Sequence, residues 1–173
     1  MGNANAAPGL EERKGSMMKI ISTRASQWIH CLQANGCRVT TTRQAVVEIL
    51  AGSRRAISPL EIYDLCRSKY KNMGLVTVYR TIEKLEELGL IQRVHQPSGC
   101  QAFIAAADGH QHLLICQSCG LVTFFSGENE AMQGLMDEVS VQSGYRIEGH
   151  WLQLFGYCAN CRENSLQDHH IDR

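Results

Sequence analysis

Two cysteine pairs, Cys116-Gln-Ser-Cys119 and Cys158-Ala-Asn-Cys161, carry the most specific chemistry in the chain. A two-residue gap lets both thiolates of one tight turn reach the same ion. Two such turns supply four sulfurs at tetrahedral geometry, which Zn²⁺ favours and which leaves no open position for a reacting water. The pairs therefore read as a structural zinc site and argue against a zinc enzyme. A thiol-redox protein is the rival class, but redox CxxC motifs open a helix after a strand and carry one low-pKa thiol. Two symmetric knuckles fit metal better.

Histidines gather around the same elements. His110-Gln-His112 precedes the first knuckle, and His150 precedes the last strand-like run. Alternate residues of a strand project to one face, so two such imidazoles can share an ion. Glu128, Glu130 and Gln133, on or just before an intervening helical run, are candidates to complete the ligand set. A second possible site lies upstream at His95 and Cys100, where a thiolate would tilt selection from iron or manganese toward zinc. His169-His170 near the end read as solvated.

These ligands need elements to position them. Residues 108–162 alternate between strand-like runs (Leu113–Cys116, Leu121–Phe125, Tyr145–Ile147, Trp151–Phe155) and one helical pattern over 129–142, a small α/β unit stapled where its strands end. So short a unit buries little core alone, and a structural metal and dimerisation are the expected supplements. Upstream, four helical patterns cover 24–34, 42–51, 59–69 and 76–88. Thr41 is the expected N-cap of the second, Ser58-Pro59-Leu60-Glu61 a capping box for the third, and Gly89 a stop for the fourth. Two strand-like runs, 90–94 and 101–105, then flank the turn signal Gln96-Pro97-Ser98-Gly99. Helices followed by a hairpin describe a winged helix-turn-helix over 23–107, and the whole chain reads as α+β. Residues 1–22 read as a flexible arm and 163–173 as a loose tail.

The helix over 76–88 is the expected reading helix. Thr77, Tyr79 and Arg80 lie in its first turn, from which side chains reach base edges in the major groove. Arg can take guanine bidentately, and an aromatic or methyl group can pack on a thymine methyl. Arg38 and Arg43, near the start of the second helix, suit phosphate or an adjacent minor groove. The charge pattern agrees. Residues 1–105 carry 14 Lys/Arg against 8 Asp/Glu, and residues 106–173 carry 3 against 9, although the formal net charge is zero. A basic half suits a polyanion, and an acidic, His-rich half suits a cation. No apolar run approaches the roughly 18 residues of a membrane span. The opening residues lack a secretion signal's apolar core, so reduced thiols in the cytoplasm are expected.

The order of these residues resembles the ferric uptake regulator family. Gly36-Cys-Arg-Val-Thr40 with Arg43, Thr77-Val-Tyr-Arg-Thr-Ile82 with Leu85 and Gly89-Leu90, His110 and His112, Cys116-x-x-Cys119-Gly120, Gly144-Tyr145, His150 and Cys158-x-x-Cys161 carry the match, over roughly residues 24–162. The resemblance implies a winged-helix domain, an α/β dimerisation domain, and a homodimer that binds an AT-rich inverted repeat of double-stranded DNA when metallated. It implies that Cys116, Cys119, Cys158 and Cys161 are structural zinc ligands, Tyr79 and Arg80 the base-contacting pair, and Arg38 the minor-groove residue. Phe124 stands where iron- and peroxide-sensing members usually place a carboxylate, Ala56 where they place a histidine, and Gln133 where the helix glutamate falls. With Cys100, these departures make the chain most like a zinc uptake regulator. The implied activity is zinc-sensing repression of zinc-uptake genes. The regulatory site would be drawn from His95, Cys100, His110, His112 and His150, with Glu130 or Gln133. Iron, manganese or peroxide is the alternative signal.

Overall fold

Apolar residues at helical spacing fill the first half of the chain, and helices form on them. The computed structural model describes residues 23–95, 99–126 and 130–162. In it α1 covers residues 23–34, α2 Thr41–Gly52, α3 Pro59–Arg67 and α4 Leu75–Glu87. Leu32, Val46, Val47, Leu50, Ile62, Val78, Ile82 and Leu85 are each at most 2 % exposed. Burying each such side chain stabilises by about 1.5–3 kcal/mol. Cys66 is buried among them, and burial pushes its thiol up, so it behaves as a core residue.

The helix ends show local chemistry at work. The N-cap of α2 is Thr40, one residue before the expected Thr41. Thr40 is the residue with an extended backbone (φ −95°, ψ 162°), and its hydroxyl accepts the Arg43 N–H at 3.3 Å. A cap must lie outside the helix while its oxygen reaches the third helical N–H, and Thr41 is already helical. At the end of α4, Gly89 takes φ 67°. The Gly89 N–H reaches the Glu86 carbonyl at 2.9 Å and the Leu90 N–H reaches that of Leu85 at 2.9 Å, a Schellman closure that glycine makes without strain.

The period then changes to two. β1 (Ile91–His95) and β2 (Gln101–Ala105) form a two-stranded sheet; the expected turn at 96–98 lies outside the described residues. β3 (Gln111–Cys116), β4 (Val122–Ser126) and β5 (Gln153–Gly156) form a second sheet in the order β4-β3-β5. β3 and β4 are antiparallel with Leu113 opposite Phe124, whereas β3 and β5 are parallel with Leu113 opposite Gln153. Helix α5 (Glu130–Ser143) lies between β4 and β5 in the chain, as a parallel pairing requires a crossover. The strand expected at Tyr145–Ile147 does not form: these residues are irregular, and Tyr145 is 75 % exposed. The helix end absorbs its hydrogen bonds, since the Tyr145 N–H donates to the Ser143 hydroxyl and the Ser140 hydroxyl donates to the Tyr145 carbonyl.

The described residues divide into two compact units. One runs to Ser53 and resumes over Pro59–Ile91; the other joins Arg54–Ser58 to the residues from Gln92 onward. The hairpin, which the sequence groups with the helices, packs in the second unit. Val94, Ala102 and Ile104 share one buried cluster there with Ala56, Leu113, Ile115 and Val122, and Phe124 packs against it. Short bridges fasten the 54–58 segment on both sides, Ile57 to Phe103 and Arg55 to Leu121. Gly120 carries the turn at this bridge: its carbonyl accepts the Ala56 N–H at 3.0 Å, and its φ of 73° is one that L side chains rarely adopt. Among the described residues no helix is long and apolar enough to cross a membrane.

Candidate metal centres and nucleic-acid interface

Strand register brings the four cysteines together. Cys116 ends β3 and lies opposite Gly156, the end of β5, so the chains leaving both strands start side by side. The first knuckle closes through the Gly120 N–H on the Cys116 carbonyl at 2.9 Å, and the second through the Cys161 N–H on that of Cys158 at 3.0 Å. All four Sγ atoms lie within 4.8 Å of one another, and those of Cys119 and Cys158 are 3.8 Å apart. A Zn–S bond of about 2.3 Å sets the corners of a tetrahedron about 3.8 Å apart, so the residues fit the ion. Burial raises the Cys116 thiol, but the backbone N–H groups of Cys119, Cys158 and Ser118, with the Cys119 side chain, outweigh it and hold the thiol at about 6. Cys161 is pushed up to about 12: the Ser118 hydroxyl lowers it, and the thiols of Cys158 and Cys119 override that. Four sulfurs cannot all ionise against each other, and a divalent cation removes that obstacle.

The histidines form a second cluster in the same unit. His112 is 1 % exposed, inside β3; His110 precedes the strand, and His150 enters from the segment before β5. Their side-chain nitrogens converge within 4.8 Å, with His150 Nε2 3.0 Å from both His110 Nε2 and His112 Nε2. A ring nitrogen offers one proton or one lone pair, so His150 Nε2 cannot satisfy both neighbours by hydrogen bonding. One cation accepts all three lone pairs. Zn–N bonds of about 2.0–2.1 Å put tetrahedral corners about 3.3 Å apart, within a few tenths of an ångström of the spacing found. Burial holds the His112 imidazole below its ordinary range, and His110 and His150 push the same way. That favours the neutral, ligating form.

The other candidate ligands sit elsewhere. Cys100 is exposed and outside both clusters. His95 turns its ring toward Trp151, centroids 6.3 Å apart, and does not join the triad. Gln133 donates to Asp137 at 2.9 Å along its own helix. The side chain of Glu130, and Glu128 entirely, lie outside the described residues. Phe124 packs its apolar ring against the core cluster.

In the helical unit, α4 buries Val78, Thr81, Ile82 and Leu85 and leaves the opposite side open. Tyr79 is 46 % exposed, and Arg80 is exposed, with no ion pair to Glu83 among the described residues. Thr77 is half-buried, and its carbonyl accepts the Thr81 hydroxyl at 2.7 Å. Arg38 is exposed. Arg43 is instead turned onto its own chain, Nη1 donating to the Arg38 carbonyl at 2.6 Å. Sequence reasoning overlooked an open cleft of about 450 Å³ lined by Thr40, Thr41, Thr42, Lys69, Tyr70, Lys71 and Asn72. Its only signal was the pair of lysines two apart, which is common on any surface. Gln153 was overlooked too: its amide accepts the His95 N–H at 3.0 Å and donates to the Arg93 carbonyl at 3.1 Å. A glutamine at a strand end carries no signal of such a role.

Comparison with known proteins places these features in a lineage. The ferric uptake regulator family model matches residues 34–155. A ferric uptake regulation protein of Yersinia pestis is 32% identical over 136 residues, spanning 77% of this chain and 90% of its own length. A zinc uptake regulation protein of Mycobacterium tuberculosis is 32% identical over 131 residues, spanning 76% and 99%. The solved structure of a zinc uptake regulator complexed with zinc and DNA covers 84% of this chain and 97% of its own, with a TM-score of 0.63. At 21% identity that likeness speaks for the fold alone. The fold is an N-terminal winged helix-turn-helix followed by a small α/β domain bearing the paired cysteine knuckles. The chain belongs to the ferric uptake regulator family, whose members are metal-responsive, DNA-binding transcription regulators and not enzymes.

Proposed function

We propose that the protein is a zinc-responsive transcriptional repressor of zinc-uptake genes, acting in the cytoplasm as a homodimer on an AT-rich inverted repeat. The carrying observation is the convergence of three imidazole nitrogens with no carboxylate joining them among the described side chains. Nitrogen donors suit zinc, and an oxygen-rich set would suit manganese. In this reading Cys116, Cys119, Cys158 and Cys161 hold a structural Zn²⁺ permanently. His110, His112 and His150 hold the sensed ion. A bound ion would link the start of β3 to the segment entering β5. Residues 23–107 serve as the DNA-binding domain and 108–162 as the metal-binding dimerisation domain.

Tyr79 and Arg80 meet base edges, Thr77 supports them, and Arg38 enters a minor groove or takes phosphate. Arg43 orients the turn that carries Arg38. The cleft with Lys69 and Lys71 suits backbone phosphate, which positions a reader without specifying sequence. Dimerisation is supported by apolar side chains left open on and beside β5, an edge strand: Trp151 at 74 %, Tyr157 at 54 %, Leu154 at 44 % and Phe155 at 37 % exposure. Exposed apolar surface along a strand edge is a mark of an interface. A coupling of about 1–3 kcal/mol between ion and DNA would change DNA affinity some 5–150-fold.

The deciding experiment counts zinc per chain in reduced protein before and after mild chelation, then titrates operator DNA with Zn²⁺, Fe²⁺ or Mn²⁺ restored. Two zinc ions, one resisting the chelator, with DNA binding recovered by Zn²⁺ alone, is the expected result. A single resistant zinc and recovery by Fe²⁺ or Mn²⁺ would move the protein to the second reading, an iron- or manganese-responsive regulator. That reading is favoured by ferric uptake regulation proteins among its relatives at the same identity.

A further inference from the structure

We infer that Gln153 is a positioning residue that ties the β1–β2 hairpin to the histidine cluster, so that occupancy of the cluster is read out in the hairpin. The inference rests on the reading of His110, His112 and His150 as the sensed-metal ligands. β1 is one strand of a two-stranded sheet, so its edge facing away from β2 has no strand partner among the described residues. On one edge of a strand, the carbonyl of one residue and the N–H two residues later point the same way. In a parallel ladder a single neighbouring residue takes both. Gln153 does this with its side chain: Oε1 accepts the His95 N–H at 3.0 Å, and Nε2 donates to the Arg93 carbonyl at 3.1 Å. The amide thus stands in for one residue of a parallel strand and brackets Val94, which is fully buried in the cluster shared by hairpin and sheet.

The other end of the connection is short. Gln153 is three residues from His150, whose Nε2 lies 3.0 Å from those of His110 and His112. Between them Trp151 faces the His95 ring, and the Leu152 carbonyl accepts the Leu113 N–H at 3.2 Å, beside His112. The segment 150–153 is therefore held at one end by the histidine cluster, along its length by β3, and at the other end by the outer edge of β1. Fixing His150 restricts where the Gln153 amide can stand, and the amide in turn fixes Arg93 and His95. In the chain, β1 begins four residues after α4 ends, so the restrained strand is the one that continues from the reading helix.

The test uses the full-length chain with its cysteine zinc retained, with Zn²⁺ as the probe and two variants, Gln153→Leu and Gln153→Glu. Leucine removes both hydrogen bonds; glutamate keeps the acceptor for the His95 N–H. Zinc stoichiometry, amide hydrogen exchange at His95, Trp151 fluorescence and operator affinity are each measured with and without the exchangeable zinc. We expect both variants to bind as much zinc as the wild type. Zinc should slow His95 exchange in the wild type, barely in Gln153→Leu, and to an intermediate degree in Gln153→Glu. The zinc-dependent gain in DNA affinity should shrink roughly tenfold in Gln153→Leu, the size of losing two ordinary hydrogen bonds from one of the two states. A Gln153→Leu variant with wild-type zinc effects on both His95 exchange and DNA affinity overturns the inference. Should zinc leave wild-type DNA affinity unchanged yet slow His95 exchange only when Gln153 is present, the regulator reading falls and the tie between cluster and hairpin stands.

Discussion

The two metal clusters share one sheet and differ in completeness. The cysteine cluster sits where β3 and β5 end, with four soft donors, one pair at the spacing of a zinc tetrahedron, and backbone N–H groups aimed at Cys116. The histidine cluster sits where β3 begins and β5 has not yet formed, with three nitrogens and one ring fully buried. The first is closed on itself through knuckle hydrogen bonds. The second depends on His150, which arrives on an irregular segment. A site whose ligands all come from turns pinned by a strand register binds before anything else can move. A site with one ligand on a segment outside the regular ladder fixes that segment's position when it binds, which couples the ion to whatever the segment touches. Opposite ends of the same pair of strands are thus suited to opposite tasks.

Breaking the comparison at its stronger end gives the largest effect. Cys158→Ser removes one sulfur and the neighbour that Cys119 meets at 3.8 Å. Structural zinc contributes about 10–16 kcal/mol in small zinc-folded peptides. Forfeiting even about 5 kcal/mol of that would lower the melting temperature of a chain this size by about 10–20 °C. Elemental analysis should show the chelator-resistant zinc gone, and calorimetry the lowered transition. Retention of that zinc with an unchanged melting temperature would mean the cluster is not structural.

At the weaker end, His150→Ala should leave the resistant zinc and most of the stability in place. The exchangeable zinc should vanish, and with it the 5–150-fold metal dependence of DNA affinity expected for such a coupling. Isothermal titration with Zn²⁺ and operator binding in parallel check this. If His150→Ala also loses the resistant zinc, the two clusters are one cooperative site and the comparison fails.

The two clusters were not equally legible in the sequence. CxxC spacing is local chemistry: each pair lies in one turn, and only the meeting of two turns depends on the fold. The triad needs β3 and β5 to be parallel neighbours, which no local pattern around His150 reveals, although His110-x-His112 announces two of its members. The helices were legible for the same reason, because the stripe Val78, Ile82, Leu85 declares its own face. Thr40 and Thr41 are chemically alike as caps, and only the extended backbone of Thr40 separates it from the expected Thr41. Tyr145–Ile147 has strand composition, but the serines of the preceding turn take its backbone hydrogen bonds. Arg38 and Arg43 look equivalent as basic residues, yet one faces solvent and the other holds its neighbour's carbonyl. The hairpin follows α4 directly in the chain, yet its buried face is completed by Leu113, Ile115 and Val122, later in the chain, which adjacency alone does not reveal.

Both clusters can be left intact while the reading surface is altered, which tests whether the metal centres act only through it. Arg80→Ala should cost about 1–3 kcal/mol of operator binding and relax preference at one base pair, in metal-loaded and metal-depleted protein alike. Arg43→Ala should weaken binding more evenly across sequences, because it frees the Arg38 turn and removes no base contact. Competition binding against single-base operator variants separates the two. Equal base-selective losses in both would remove the distinction between reader and support.

Acid sharpens the contrast by the smallest amount. Burial, and then His110 and His150, hold the His112 imidazole below the ordinary range, so the fold keeps it neutral at pH values where the unfolded chain would protonate it. Between those two values the unfolded state binds more protons than the native state, so stability rises with pH. The contribution is complete above the unfolded value of about 6.5 and is lost as pH falls through the lowered native one. In protein that retains its cysteine zinc and has given up the exchangeable ion, the melting temperature should therefore decline as pH drops from about 7 to 5. His112→Phe, which keeps an aromatic ring against Phe125, should flatten that decline. The cysteine cluster is the competing source of acid sensitivity, since its Cys116 thiol is held at about 6, within the same window. An equally steep decline in His112→Phe would assign the acid sensitivity to the cysteines and erase the division of labour between the two ends of the sheet.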